Sequence, residues 1–165
     1  MSSEKKVKRD LVLVYVGLES VMTEDMVVLS LKIEFGTWFK WKERNSINGS
    51  DKPGVYMMAR FKKGCSQSAD PLDEDIIYFG ETCNQSLKER WNQFDASAFQ
   101  LKHGHSGGTT YNKVFGDKGV NLYVAAMPVA VENKDFRSSF IRFAERKLIL
   151  DFVLKCNRLP ICNRK

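Results

Sequence analysis

The chain has 165 residues, 43% hydrophobic and 28% charged, with a formal charge of +6 and a pI near 9.1. That length supplies one hydrophobic core plus an elaboration, and the basic balance favours a polyanionic partner, because lysine and arginine displace counterions from phosphate. The sequence shows no cleavable leader after Lys5, Lys6, Lys8 and Arg9, no apolar run of the ~20 residues a bilayer needs, and no CxxC pair among Cys65, Cys83, Cys156 and Cys162, so a cytoplasmic protein with reduced thiols, no membrane contact and no zinc ribbon is expected.

Leu11 to Val16 is rich in β-branched and aromatic residues and reads as a strand that ends at Gly17. The next stretch carries two signals. Thr23, Glu24 and Asp25 suit a helix start, acids being favoured at the positive end of a helix, and a helix is the reading taken; Val27, Leu29, Leu31 and Ile33 nevertheless alternate as in a strand. Trp38, Phe39 and Trp41 interleave with Lys40, Lys42 and Arg44. Such a segment can stack on bases and contact phosphates, or its tryptophans can cover the edge of the core while the cations stay solvated. The polar run Asn45 to Pro53 reads as a loop that separates an N-terminal elaboration, 1–50, from the main body, 51–165.

Val55 to Phe61 and Ile76 to Phe79 read as strands, joined by an acidic connection with Asp70, Asp73, Glu74 and Asp75 that is too long for a tight hairpin and reads as solvated. From Ser86 to about Phe94 a helix is expected. Ser86 can cap it, Glu89 holds the capping-box position, and Leu87 and Trp91 share a face. Lys102 to Tyr111, with His103, Gly104, His105, Ser106, Gly107 and Gly108, reads as a flexible loop. Val120 to Val129 follows as a strand and Phe136 to Cys156 as the longest helix.

Two tyrosines on adjacent strands, Tyr56 and Tyr78, fall near one edge of a sheet, and Arg90 emerges from the helix that follows. A phenol can orient or deprotonate water, and a guanidinium can neutralise charge growing on phosphate oxygens. Glu145 lies on the edge of the apolar stripe made by Ile141, Leu148, Ile149 and Phe152. A carboxylate there needs compensation, either from a divalent ion or from Arg142 or Arg146 in an ion pair.

The triplets Gly54-Val55-Tyr56 and Tyr78-Phe79-Gly80, then Arg90, then Glu145 in Phe-Ala-Glu-Arg-Lys, then Pro160-Ile161-Cys162-Asn163, come in the order of the landmarks of the GIY-YIG nucleases, and from Pro53 to Asn163 the chain resembles that family. The resemblance implies an α/β fold, a small antiparallel central sheet flanked by helices. It implies Tyr56 as general base or water-orienting phenol, Tyr78 as a second phosphate-site hydroxyl and Arg90 as electrostatic catalyst. Glu145 becomes the single ligand of Mg2+ or Mn2+, and Asn163, preferred to Asn157 on its Pro-x-x-Asn spacing, a polar support of the site. Many members carry a histidine four residues after the arginine. Here that position is Phe94, which leaves His103 and His105 as substitutes or phosphate contacts.

The activity implied is that of a divalent-metal-dependent DNA endonuclease of the small restriction type, a homodimer cutting double-stranded DNA. Lys40, Lys42, Arg44, His103 and Ser106 are then the candidate nucleic-acid contacts. A nicking or structure-specific repair nuclease, or a catalytically silent nucleic-acid-binding module of the same fold, are the alternatives.

Overall fold

Gly54–Arg60, the strand β4, has a continuous apolar run, and both of its faces are covered. In this computed structural model, which describes residues 18–23 and 26–31 by backbone and residues 33–62, 64–65 and 68–163 in full, β4 is an inner strand of a four-stranded antiparallel sheet. Phe39–Lys40 (β3), Ile76–Thr82 (β5) and Leu122–Pro128 (β6) complete it in the order β3-β6-β4-β5. Three main helices pack against this sheet: α1 (Leu87–Phe99), α2 (Ser106–Phe115) and α3 (Lys134–Cys156). The fold is therefore the α/β arrangement expected. No helix among the described residues is long and apolar enough to cross a membrane.

Residues Met1–Lys32 and Ile33–Lys165 form two separate compact units. In the first, β1 (Leu18–Thr23) and β2 (Met26–Leu31) make an antiparallel pair with Thr23 opposite Met26. The helix expected after Thr23 is thus a strand. The period-2 alternation from Val27 onward outweighs the acidic start signal, because each β2 residue gains a ladder partner in β1. The strand read at Leu11 to Val16 lies outside the described residues. The second unit begins well before the Asn45 to Pro53 loop, since β3 pairs with β6 through Phe39 and Lys40, so residues 33–50 belong with the sheet.

One segment resolves in favour of one of its two readings, and another differs from the sequence reading. Trp38 and Trp41 are both buried, Trp38 edge-on to Phe61 and Trp41 edge-on to Phe94, and are unavailable for base stacking. Trp41 also donates its indole N–H to Asp95 of α1 at 2.9 Å. The supposed loop Lys102 to Tyr111 turns helical at Ser106. Its two glycines, which lower helix propensity by about 1 kcal/mol each, are kept there by packing: a Cβ on Gly107 would lie 2.6 Å from the Tyr78 ring, and one on Gly108 2.7 Å from the Phe94 carbonyl oxygen.

Tyr56, Met58 and Tyr78 share one face of the sheet and pack with Leu87, Trp91, Phe94 and Ala98 of α1 and Tyr111 of α2. The apolar face of α1 recurs at spacings of four and three, and Ser86 and Glu89 form the expected capping box at its start. On the opposite side Phe79 meets Phe152 of α3, whose core face is Ile141, Ala144, Leu148 and Phe152.

Candidate active site

Five elements each bring one polar side chain toward the tyrosine face. The antiparallel register sets Tyr56 opposite Gly80, and Tyr78 two pairs along opposite Met58, on the same face. Gly80 has to be a glycine, because a Cβ there would lie 2.5 Å from Cζ of Tyr56 and 2.6 Å from the Tyr78 ring. The rings stand 5.9 Å apart, tilted by 53°.

His105 closes this pair from the start of α2. Its backbone N–H donates to Ser97 Oγ at 3.1 Å, and its ring lies 5.3 Å from Phe94 and 5.7 Å from Tyr78. The imidazole is thus packed against Phe94, the residue standing where a histidine was expected. Gly108 N–H donates to Nδ1 at 3.2 Å, so Nδ1 carries a lone pair, and the ring proton sits on Nε2, 3.1 Å from the Tyr56 oxygen. His105 therefore donates a hydrogen bond to Tyr56. It is 1% exposed, and burial first, with the nearby Arg90 charge second, brings its pKa from 6.5 down to about 3.

That shift has a consequence for stability. The unfolded chain protonates His105 below about pH 6.5 and the folded chain does not, so the contribution is complete above that pH and is lost as pH falls toward 3, by on the order of 1.4 kcal/mol per unit. Between pH 7 and pH 4.5 the unfolding free energy of the wild type should drop by about 2 to 3 kcal/mol more than that of His105→Gln. Urea titrations at the two pH values check this. Identical pH dependence in both proteins would mean that the imidazole titrates in the folded state as it does in water.

Both phenols are held neutral. Tyr56 is fully buried, and burial raises its pKa well above 10, the neighbouring Tyr78 adding to the rise and Arg90 opposing it. Tyr78 is 7% exposed, and burial pushes it up to about 12, with Arg90 pulling down and Glu145 pushing up. The fields of Arg90 and Glu145 thus meet at the Tyr78 hydroxyl, which joins the α1 and α3 contributions to the strand pair.

Arg90 is oriented by its own helix. Its Nη1 donates to Gln93 Oε1 at 2.9 Å, Gln93 in turn donates to Gln85 Oε1 at 2.8 Å, and the buried Arg90 Nε has no partner among the described residues. Gln93 lies three residues after Arg90, the spacing of helical neighbours; that signal stands in the sequence, unlike Ser97, whose role depends on α2 folding back onto α1. Glu145 has a side chain 13% exposed, with Arg146 Nε 3.4 Å away. Asn163 does not enter the polar cluster. It accepts from Phe79 N–H and donates to Phe79 C=O, both at 2.8 Å, which fixes the β5 backbone between Tyr78 and Gly80.

Of the proposed nucleic-acid contacts, Lys40, Lys42, His103 and Ser106 are exposed. Arg44 is committed elsewhere: it lies 4.5 Å over the Trp41 ring, donates to Trp41 C=O at 3.1 Å and pairs with Asp95 at 3.4 Å.

Among the described residues no group of three or more His, Cys, Asp or Glu is placed to hold a metal ion. One carboxylate at the rim of the site fits Mg2+, which keeps most of its waters and is bound through one or two carboxylates plus substrate phosphate. It does not fit a closed zinc or calcium cage. Neutral phenols, a helix-held guanidinium and a carboxylate together suit the handling of an anionic, tetrahedral centre. Comparison with models of known families, with characterised proteins and with solved structures finds no match for this chain.

Proposed function

We propose that this protein is a phosphodiester-hydrolysing DNA endonuclease of GIY-YIG type that works with Mg2+ or Mn2+. The observation that carries the proposal is the convergence of Tyr56, Tyr78, Arg90, His105 and Glu145, from five different elements, on one polar cluster at the edge of an otherwise apolar face. Arg90 neutralises the phosphate oxygens as charge builds on them, its guanidinium held in place through Nη1 by Gln93. Glu145 would hold the divalent ion, which when bound supplies Lewis-acid polarisation of the phosphate.

Of the two roles open to Tyr56, water-orienting phenol is the better supported, since burial keeps its proton in place near neutral pH. His105 supports it by donating Nε2–H to the phenolic oxygen, which frees the Tyr56 proton for the hydroxyl beside it or for a water. This is a positioning role. A proton-accepting histidine would need the lone pair on Nε2, and Gly108 has already claimed the one on Nδ1. Tyr78, nearer the solvent, offers the second hydroxyl to the phosphate.

The test is direct. Purified protein is incubated with supercoiled plasmid, a flap duplex and single-stranded RNA, each with Mg2+, with Mn2+ and with chelator. Linearised plasmid only when the metal is present is the expected result, in line with a double-strand cutter acting as a homodimer on double-stranded DNA. Nicked circles or flap cleavage would move the protein to the structure-specific class. Retardation of DNA without cleavage of any substrate would reject the enzymatic reading.

A further inference from the structure

α3 carries more apolar surface than its own core uses. Beside the buried face Ile141, Ala144, Leu148 and Phe152 runs a second line, Phe136, Phe140, Phe143, Lys147, Leu150 and Leu154, at spacings of four, three, four, three and four. That is a heptad repeat kept over nearly three heptads. At 3.6 residues per turn its centre is roughly 125° around the helix from the core face, and roughly 180° from Glu145. Phe136 is 61% exposed, Phe143 53%, Leu150 56% and Leu154 75%, and the rings of Phe136 and Phe140 stack at 6.3 Å.

We propose that this stripe is the interface of a two-fold dimer in which α3 of one chain packs antiparallel on α3 of a second copy. Period and size both favour a second copy. A stripe that repeats every 3.5 residues is complementary to another of the same kind, and a two-fold axis lets one surface serve both partners. The exposed side chains present on the order of 400 Å² of apolar surface per copy. With Phe140, Lys147 and the flanks, two copies bury about 1,000 Å² in total, the lower bound for a specific interface.

Charge favours one direction. Lys147 already pairs with Asp151 on its own helix at 2.6 Å, and a parallel pair would set each of these ion pairs against its own copy inside the seam. Reversing one helix about a centre near residue 145 sets Lys147 over the Phe143 ring of the second copy, Phe136 against Leu154, and Phe140 against Leu150. Arg146 comes near the axis on one flank, where its own Glu145, 3.4 Å away, offsets the charge. Because Glu145 lies on the far side of the helix, pairing leaves both candidate sites open.

The dimer does not depend on the nuclease reading, and cleavage assays play no part in its test. Sedimentation velocity of the full chain up to ~100 µM should show a concentration-dependent monomer–dimer equilibrium. The double variant Phe143→Glu/Leu150→Glu should dissociate at least about tenfold more readily, and at concentrations where both proteins are monomeric its melting temperature should match that of the wild type, because neither side chain is in the core. For direction, Cys65 and Cys156 are replaced by Ser, and Phe136→Cys and Leu154→Cys proteins are oxidised singly and mixed. Disulfide dimers of the mixed pair alone support the antiparallel packing; 136–136 dimers overturn it. A wild type that stays monomeric, or a dimer indifferent to the double variant, overturns the interface. So does a monomeric wild type whose double variant melts several degrees lower, since the stripe then packs within its own chain.

Discussion

Arg90→Ala is expected to slow single-turnover DNA cleavage by at least about 10²-fold at saturating Mg2+, while leaving the protein folded. The guanidinium is preorganised: Gln93 holds Nη1 at 2.9 Å and Gln85 holds Gln93 at 2.8 Å. Charge that builds on phosphate in the transition state therefore meets a cation that needs little reorganisation. Arg90→Lys should recover little, because an ammonium does not reproduce the planar fork that the glutamines orient. Gln93→Ala should fall between, losing about tenfold through a looser guanidinium. A change of less than about threefold in the alanine variant would make Arg90 a surface residue of α1 and remove the electrostatic core of the mechanism.

For Glu145→Ala the expectation is loss of the metal response, with DNA retardation retained. The side chain is 13% exposed and paired at 3.4 Å with Arg146 on the same helix, so the variant's melting temperature is read alongside its rate. A hard divalent cation loses its single protein oxygen, and raising Mg2+ should restore only part of the rate. Titrating Mg2+ against cleavage rate in wild type and variant gives the comparison. Equal apparent metal affinities and rates would leave Glu145 a structural carboxylate, its ion pair with Arg146 included.

Legibility in the sequence followed how local each determinant is. The α1 start could be read because its capping box spans four residues, and β4, β5, β6 and α3 because their apolar patterns are self-contained. β2 was misread, since its pairing with β1 decides the issue and an acidic start signal stands in front of it. α2 was hidden by glycines that only make sense beside Tyr78 and Phe94. The site divided in the same way. Tyr56, Tyr78, Arg90 and Glu145 could be nominated from ordered landmarks, whereas the hydrogen bond from His105 to Tyr56 joins residues 49 positions apart and depends on a helix that the sequence did not advertise. The tryptophans illustrate a limit of composition: aromatic residues among lysines fit both a stacking platform and the edge of a core, and it is the N–H that Trp41 spends on Asp95 inside the fold that decides for the core.

The link between Asn163 and Phe79 also bears on solubility. β5 is the last strand on its side of the sheet, and an unpaired strand margin invites another chain to add a strand, the first step in edge-to-edge aggregation. By occupying both the N–H and the C=O of Phe79, one side-chain amide takes the part of a neighbouring strand for one residue and then stops, because the 3₁₀ turn Ile161–Asn163 that carries it cannot extend the ladder. The residue that steadies Tyr78 thereby keeps the most apolar margin of the sheet from templating growth.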